Sequence, residues 1–248
     1  MNNIKITAFL TSLLLALTCH AEKITFTSTT KQTTLIELYT SEGCSSCPPA
    51  DQFLSQFSAA DELWQKYIPL AFHVDYWDYI GWQDVFAEPA FSKRQRQHKK
   101  QANIAAVYTP GFVVNGSEWA GFFKPWRALP ETDSSPGTLS LTIDQQLATV
   151  SFPQAKNQLA FNMAVVGMGL ETQVQAGENH GKTLLHDFVV LAHMKQQAVS
   201  QHAFTLPLIH KHQPQRFAVV AWVSAVDTLQ PIQAVGGFVP DGSINTLQ

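Results

Sequence analysis

Two cysteines separated by two serines, Cys44-Ser45-Ser46-Cys47, are the residues of this chain best suited to covalent chemistry. The thiolate is the reactive form of cysteine, and its pKa falls where the unpaired N–H groups of a helix N-terminus favour negative charge. On a first helical turn this spacing brings both sulfurs within bonding reach and aims one at solvent. One thiolate attacks a substrate disulfide and the other resolves the mixed disulfide. Cys44, where an apolar strand gives way to a helix, is the expected exposed nucleophile, and Cys47 the buried resolving partner. Zinc sites also use this spacing but usually need four ligands, and there is no second cysteine pair. Pro48 follows Cys47, so the stretch is no C-x-x-C-H haem motif.

The third cysteine lies in a different kind of segment. Lys5 followed by the apolar run Ile6 to Leu17 and by Cys19-His20-Ala21 reads as a secretory signal peptide over residues 1–21. The expected location is periplasmic or secreted. The alternatives are an uncleaved anchor and, through a weak lipobox at Ala16-Leu17-Thr18, lipidation of Cys19. Cleavage leaves two cysteines in an oxidising compartment, and their pairing closes a very small loop. So small a loop removes little entropy from the unfolded chain, which makes stability a poor reason for the bond.

A second stretch bears on the same chemistry. In VYTPGFVVNG, Val107 to Gly116, a Thr-Pro pair opens an apolar strand that ends at an Asn-Gly turn. Proline cannot serve a regular central ladder, and a cis Thr109–Pro110 bond accounts for it. A cis-proline loop facing the cysteines exposes backbone groups that can hold an extended substrate. The plainer alternative is an edge-strand proline with no such role. Glu37, in the strand leading to the site, is expected to relay a proton beneath Cys47 if it points inward, and to face solvent otherwise. Glu42 is expected to be exposed, with a charge that opposes thiolate formation.

FHVDYWDYIGWQD, Phe72 to Asp84, is dense in aromatic and acidic residues. Tyr76, Trp77, Tyr79 and Trp82 are suited to line a groove for an unfolded segment, with Asp75 and Asp78 orienting the loop, or to plug an interface between domains. His73 and Asp75 with the two cysteines also admit a Cu(I) site, since soft thiolates select that ion. SKRQRQHKKQ, Ser92 to Gln101, reads as a solvated helix surface or a dock for an acidic partner, with Arg94 and Gln95 turned toward the aromatic loop.

These residues need elements to position them. Leu35 to Tyr39 and Ile68 to Val74 read as strands, residues around Phe53 to Trp64 as a broken amphipathic helix, and Pro89 to Ala102 as a second helix. PETDSSPG, Pro130 to Gly137, reads as a linker. Short alternating runs follow: LSLTI, ATVSF, LAFNMAVV, LETQV, LLHDFVVLA, AFTLPL, RFAVVAWVS and QAVGGFV, at the spacing of a β-sandwich. The expected fold is therefore an α/β domain over 22–130, a linker over 131–137 and an all-β sandwich-like domain over 138–248. Removal of residues 1–21 leaves 15 basic and 19 acidic side chains, a formal charge of −4, which argues against a nucleic-acid binder. No later segment is apolar enough to span a membrane.

Residues 34–130 resemble a thioredoxin-like domain, through the LIELYT strand, Cys44-Ser45-Ser46-Cys47, the strand ending at Val74, and Thr109-Pro110 before FVVNG. The whole chain resembles the DUF1223 family of exported bacterial proteins, through GCSSCPPAD, HVDYWD-x-x-GW, the proline segment ending in Asn-Gly, and GENHGKTLLHDFVV at 177–190. The resemblance implies a thioredoxin-like site without naming a substrate. Ser-Ser stands in place of the Gly-Pro usual in thioredoxins, and Pro48 and Pro49 delay the helix, which moves Cys44 off the helix axis. The segment GFFKPWRALP, interrupted by Pro125, is a poor closing helix. Glu178-Asn179-His180-Gly181 reads as a turn suited to partner recognition or to protecting the redox face.

The combined expectation is an exported thiol–disulfide oxidoreductase or redox sensor that needs no cofactor. Cys44, Cys47 and Glu37 would be catalytic, and Thr109, Pro110, Tyr76, Trp77 and Trp82 would bind substrate. Its partner would be a protein thiol or disulfide, or a redox relay protein. The alternatives are a non-enzymatic envelope binding or assembly module with an inert disulfide, and a Cu(I) chaperone. The sequence leaves the oligomeric state open.

Overall fold

A computed structural model describes residues 23–124, 128–209 and 211–240. The signal-peptide reading of residues 1–21, with Cys19, and Pro125 lie outside the described residues. The first half contains β1 (Ile24–Thr27), β2 (Thr34–Thr40), α1 (Pro48–Ser55), β3 (Tyr67–His73), α2 (Pro89–Lys100), β4 (Gly111–Val114) and β5 (Ser117–Glu118). Short 3-10 turns occupy Gln56–Ala59, Asp75–Ile80 and Gly121–Phe123. The second half is all strand: β6 (Ser140–Asp144), β7 (Leu147–Ser151), β8 (Leu159–Met168), β9 (Leu170–Gln173), β10 (Thr183–His186), β11 (Val189–Ala198), β12 (Gln201–Thr205), β13 (Arg216–Ala225) and β14 (Pro231–Val239).

Local chemistry explains most of these boundaries. Both helices open on proline, at Pro48-Pro49 and at Pro89, where a first-turn N–H would have no helical partner anyway. The broken helix expected after Phe53 is α1 followed by the 3-10 turn that ends at Ala59. Asn115 and Gly116 both take positive φ, 49° and 80°, the backbone of a tight hairpin turn between β4 and β5. The run LLHDFVVLA is two strands rather than one, because Phe188 takes φ 58° and redirects the chain between β10 and β11. The strand β1, which the sequence reading does not include, pairs antiparallel with β6.

The fold is mostly β, with mixed sheets. Eight strands form one sheet in the order β14-β13-β8-β11-β3-β2-β4-β5. The β3 strand runs parallel to β2 and to β11, and the other pairs are antiparallel. The two halves meet at Val189 opposite Ala71, where the Ala71 N–H donates to the Phe188 carbonyl at 2.8 Å. Residues 131–137 therefore join two halves that share a sheet.

Strand alternation sorts the side chains into two cores. On β8 and β13, Phe161, Met163, Val165, Val219, Ala221 and Val223 face a second, four-stranded sheet ordered β1-β6-β7-β12. This packing is the sandwich. Their neighbours Ala164, Val166, Val220 and Trp222 join the other core, with Ile36, Leu38, Phe72, Phe91 and Phe112. The Phe26 ring of β1 fills the place where a side chain at Gly237 of β14 would sit, so the two layers touch at the described ends of the chain.

Candidate site around the Cys44–Cys47 disulfide

The site is built where β2 hands over to α1. After Thr40 the chain turns, with the Cys44 N–H donating to the Ser41 carbonyl at 3.1 Å. Cys44 and Cys47 are joined by a disulfide. The Cys47 N–H donates to the Cys44 carbonyl at 3.2 Å, and the Cys47 carbonyl accepts from Ala50 and Asp51, starting the helix. Cys47 is the N-cap and the helix begins at Pro48. Cys44 thus precedes the regular helix, as the two prolines predict. The Ser46 hydroxyl lies 3.3 Å from Cys44 Sγ.

Cys44 is not the exposed sulfur expected from the sequence: it is 1% exposed and Cys47 is 0% exposed. Two segments pack on the turn that carries it. Trp77 and Ile80 pack so closely on Gly43 that a Cβ there would lie 3.0 Å from Trp77 Cβ and 3.3 Å from Ile80 Cδ1. From the β9–β10 hairpin, the Asn179 amide nitrogen donates to the carbonyls of Glu42 at 2.8 Å and Cys44 at 3.0 Å. Glu178 accepts the Ser45 N–H at 3.0 Å.

The Thr109–Pro110 bond is cis, in line with the sequence reading. Gly111 stands opposite Tyr39 in the β2–β4 register, so Pro110 lies one step beyond, at the sheet end from which the cysteine turn departs. The aromatic stretch closes around it. The Trp77 indole N–H donates to the Thr109 hydroxyl at 2.7 Å, and the Tyr76 hydroxyl donates to Gln95 Oε1 at 3.0 Å. Gln95 in turn donates to the Tyr108 carbonyl. The Trp82 indole N–H donates to Glu42 Oε2 at 2.8 Å. Tyr76, Trp77 and Trp82 are all half-buried, and only Tyr79 of the four aromatics stands in solvent. Asp75 is bonded to Ser92 of α2, and Asp78 accepts the Asp84 N–H, so both acids do brace this turn.

Glu37 is buried but faces away from the cysteines. In β2, Thr40 points toward α1, where its hydroxyl donates to Asp51 at 3.0 Å. Residues of opposite parity point to the other face. Glu37 accordingly meets α2: Arg94 grips its carboxylate with two bonds of 2.7 and 2.8 Å, the Tyr39 hydroxyl donates at 2.9 Å, and His98 Nε2 lies 3.5 Å away. Burial pushes its pKa up, but the Arg94 and His98 charges outweigh that and hold it well below the usual carboxylate range. It is a structural ion-pair partner and is not beneath Cys47. Arg94 itself lies between the Phe72 and Trp222 rings rather than at the aromatic turn.

The acid on the cysteine face of the sheet is Asp51, which the sequence reading passes over. Burial raises its pKa, opposed by the charges of His186 and His73. Around it lies a buried polar group of Glu42, His73, Asp84 and His186. His73 Nδ1 is 2.7 Å from Asp84 Oδ2, which also accepts the Glu42 N–H at 2.9 Å. Burial works against a charge on His73, yet the Asp84 carboxylate beside it pushes its pKa up to about 9. Asp84 is lowered by the same pairing, against its own burial. His186 Nε2 lies 3.2 Å from Glu42 Oε1, off the axis of a hydrogen bond, and its ring stands 5.0 Å from that of His73. Glu42 is thus fully buried rather than exposed. Among the described residues, no group of three or more His, Cys, Asp or Glu is arranged to hold a metal ion. No helix among the described residues is long and apolar enough to cross a membrane.

A family model described as a protein of unknown function, DUF1223, matches residues 35–224. The chain belongs to the DUF1223 family. The matched span holds the cysteine pair, the cis-proline segment, the aromatic turn and the Glu178-Asn179 loop, so the DUF1223 unit takes in both halves of the shared sheet. No curated protein matches the chain. Two solved structures are similar to the chain in fold. A structure from Agrobacterium tumefaciens, a structural-genomics target, superposes with a TM-score of 0.58 at 19% identity, over 88% of this chain and 97% of the other. The protein HBP35 of Porphyromonas gingivalis superposes with a TM-score of 0.53 at 14% identity, over 88% of this chain and 78% of the other. At such identities the likeness is one of fold alone.

Proposed function

We propose that this DUF1223 protein is an exported thioredoxin-like protein that exchanges, or senses through exchange, the disulfide of a partner protein. The observation that carries the reading is the placement of the Cys44–Cys47 bond: it spans the strand-to-helix turn, at the sheet end that also holds Thr109 and Pro110. A bond closing so small a loop contributes little to stability, so reactivity is the better reason for it. In the reductive direction for this protein, a partner thiolate attacks Cys44 Sγ, the Cys44–Cys47 bond breaks, and Cys47 leaves as a thiolate and takes up a proton. A second partner thiolate then attacks the mixed disulfide, Cys44 leaves as a thiolate, and the partner holds the new disulfide. The reverse sequence oxidises the pair. Neither direction requires a cofactor.

The burial of both sulfurs supports a second reading, an inert disulfide in an envelope binding or assembly module. Thiol–disulfide titration separates the two. Folded, oxidised protein is equilibrated with glutathione buffers of graded ratio, quenched in acid and alkylated. Exchange predicts one two-electron transition, and a Cys47→Ser variant should trap a mixed disulfide on Cys44. A pair that stays oxidised at every ratio, forms no mixed disulfide with a reduced unfolded protein, and reduces only after unfolding in denaturant, would sink exchange in favour of the inert disulfide.

A further inference from the structure

We infer that the loop joining β9 and β10 is a gate over the disulfide, and that Asn179 is the residue that positions it. The inference deepens the exchange reading of the preceding subsection and rests on it for its biological meaning. Among the described residues, the strands β9 and β10 pair only with each other, forming a two-stranded arm outside the two larger sheets. The arm leaves the eight-stranded sheet through two residues of positive φ, Gly169 at 63° and Phe188 at 58°. The Gly169 N–H donates to Asp187 Oδ1 at 2.9 Å, closing the base of the arm.

The tip is shaped for one task. Gly177 and Gly181, at φ 74° and 79°, fold it back on itself, with the Gly181 N–H donating to the Val174 carbonyl. That turn drives Asn179 inward until it is 0% exposed. Both carbonyls it reaches flank Gly43, and Lys182 Nζ donates to its Oδ1 at 2.9 Å. Glu178 takes the one N–H of the cysteine turn that faces it, that of Ser45. The tip also touches the aromatic turn: a Cβ at Gly177 would lie 3.3 Å from both Ile80 and Trp82. Cys44 is therefore shut between two covers that support each other.

The chemistry of these contacts points to selectivity. The carbonyls of Glu42 and Cys44 and the N–H of Ser45 are backbone groups that an extended substrate could pair with beside the sulfur. Here an asparagine and a glutamate already occupy them. A partner able to supply its own donors and acceptors can displace the arm, whereas a small thiol offers nothing in exchange and meets a closed site. Asn179 thus decides which thiols reach Cys44, without taking part in the exchange itself.

The test follows reduction of the folded, oxidised protein by dithiothreitol, using wild type, Asn179→Ala and Glu178→Ala, with thermal midpoints measured alongside. Loss of the Asn179 bonds should speed reduction at least about tenfold, the factor carried by one or two net hydrogen bonds. Glu178→Ala, at an exposed position, should give about a threefold gain by the same reasoning, and serves if the Asn179 variant does not fold. Reduction rates matching wild type in both variants would overturn the gate. If that shared rate is fast, the exchange reading survives without it. A second probe, reduced unfolded lysozyme, tests exchange separately. Variants that reduce faster but never form a mixed disulfide with it keep the gate and overturn the exchange reading.

Discussion

Arg94 and Glu37 each make the other's burial tolerable. A buried carboxylate needs a partner with matching geometry, and the two-pronged grip of Arg94 supplies it, with Tyr39 completing the set. Arg94→Met should therefore destabilise the protein by about 3–5 kcal/mol, because Glu37 is left buried without its cation. Urea unfolding measures this, and Glu37→Gln added to the same chain should restore part of the loss. Neither change should alter the rate at which the disulfide exchanges, since the pair lies on the opposite face of β2 from α1. The contrast shows what single residues disclose in a sequence. The cysteine pair and Thr109-Pro110 are legible because their chemistry is carried by neighbours in the chain. Glu37, expected either beneath Cys47 or in solvent, meets α2 instead, because parity alone does not say which face of β2 receives α1. Asn179 is legible only as part of a turn suited to recognition or to protecting the redox face, because its partners, Glu42 and Cys44, lie 137 and 135 positions away.

At the scale of elements, the buried histidines join pieces that the chain keeps apart. His73 ends β3, Asp84 follows the aromatic turn, and His186 ends β10. The His73–Asp84 pair ties two of these together and gives the protein a pH signature. His73 has a raised pKa, near 9, so its contribution is complete below its ordinary value near 6.5 and is lost as pH rises through about 9. Asp84 has a lowered pKa, so its contribution is present above its ordinary value of 3.8 and is lost as pH falls through its lower folded value. Asp51, raised by burial, favours the folded state most when protonated, and that contribution is lost as pH rises from 3.8 through its higher folded value. Wild type should therefore lose on the order of 3 kcal/mol between about pH 6 and pH 10, and most of that slope should vanish in Asp84→Asn. Denaturant midpoints across that range decide it. Elements themselves were largely legible: both helices, the Asn-Gly hairpin and the runs that became β6, β7, β8, β13 and β14 follow from periodicity and turn chemistry. The second strand of the arm lies inside LLHDFVVLA, a run interrupted by His186-Asp187 whose division depends on the backbone angle at Phe188.

For the whole molecule, the shared sheet outweighs the linker. The core beneath β2 and β3 contains Phe188, Val190, Ala218, Val220 and Trp222, all supplied by the second half. A fragment of residues 23–130 would expose the edge of β3 and lose those side chains. It should show no cooperative melt and little near-ultraviolet circular dichroism, whereas residues 23–240 should show both. Composition and pattern separate an α/β half from an all-β half correctly in content, but pairing across the halves rests on Val189 meeting Ala71, which no local pattern announces. The contact of Phe26 with Gly237 has a different consequence. From that contact, three residues of chain lead to Lys23 and three to Pro240, so each end lies within about 11 Å of it. A bridge of about ten residues could join the two ends. New ends opened among the exposed residues Lys156, Asn157 and Gln158 would then yield a circular permutant in which β8 begins the chain and β7 closes it, with every strand pairing and both covers of the disulfide kept.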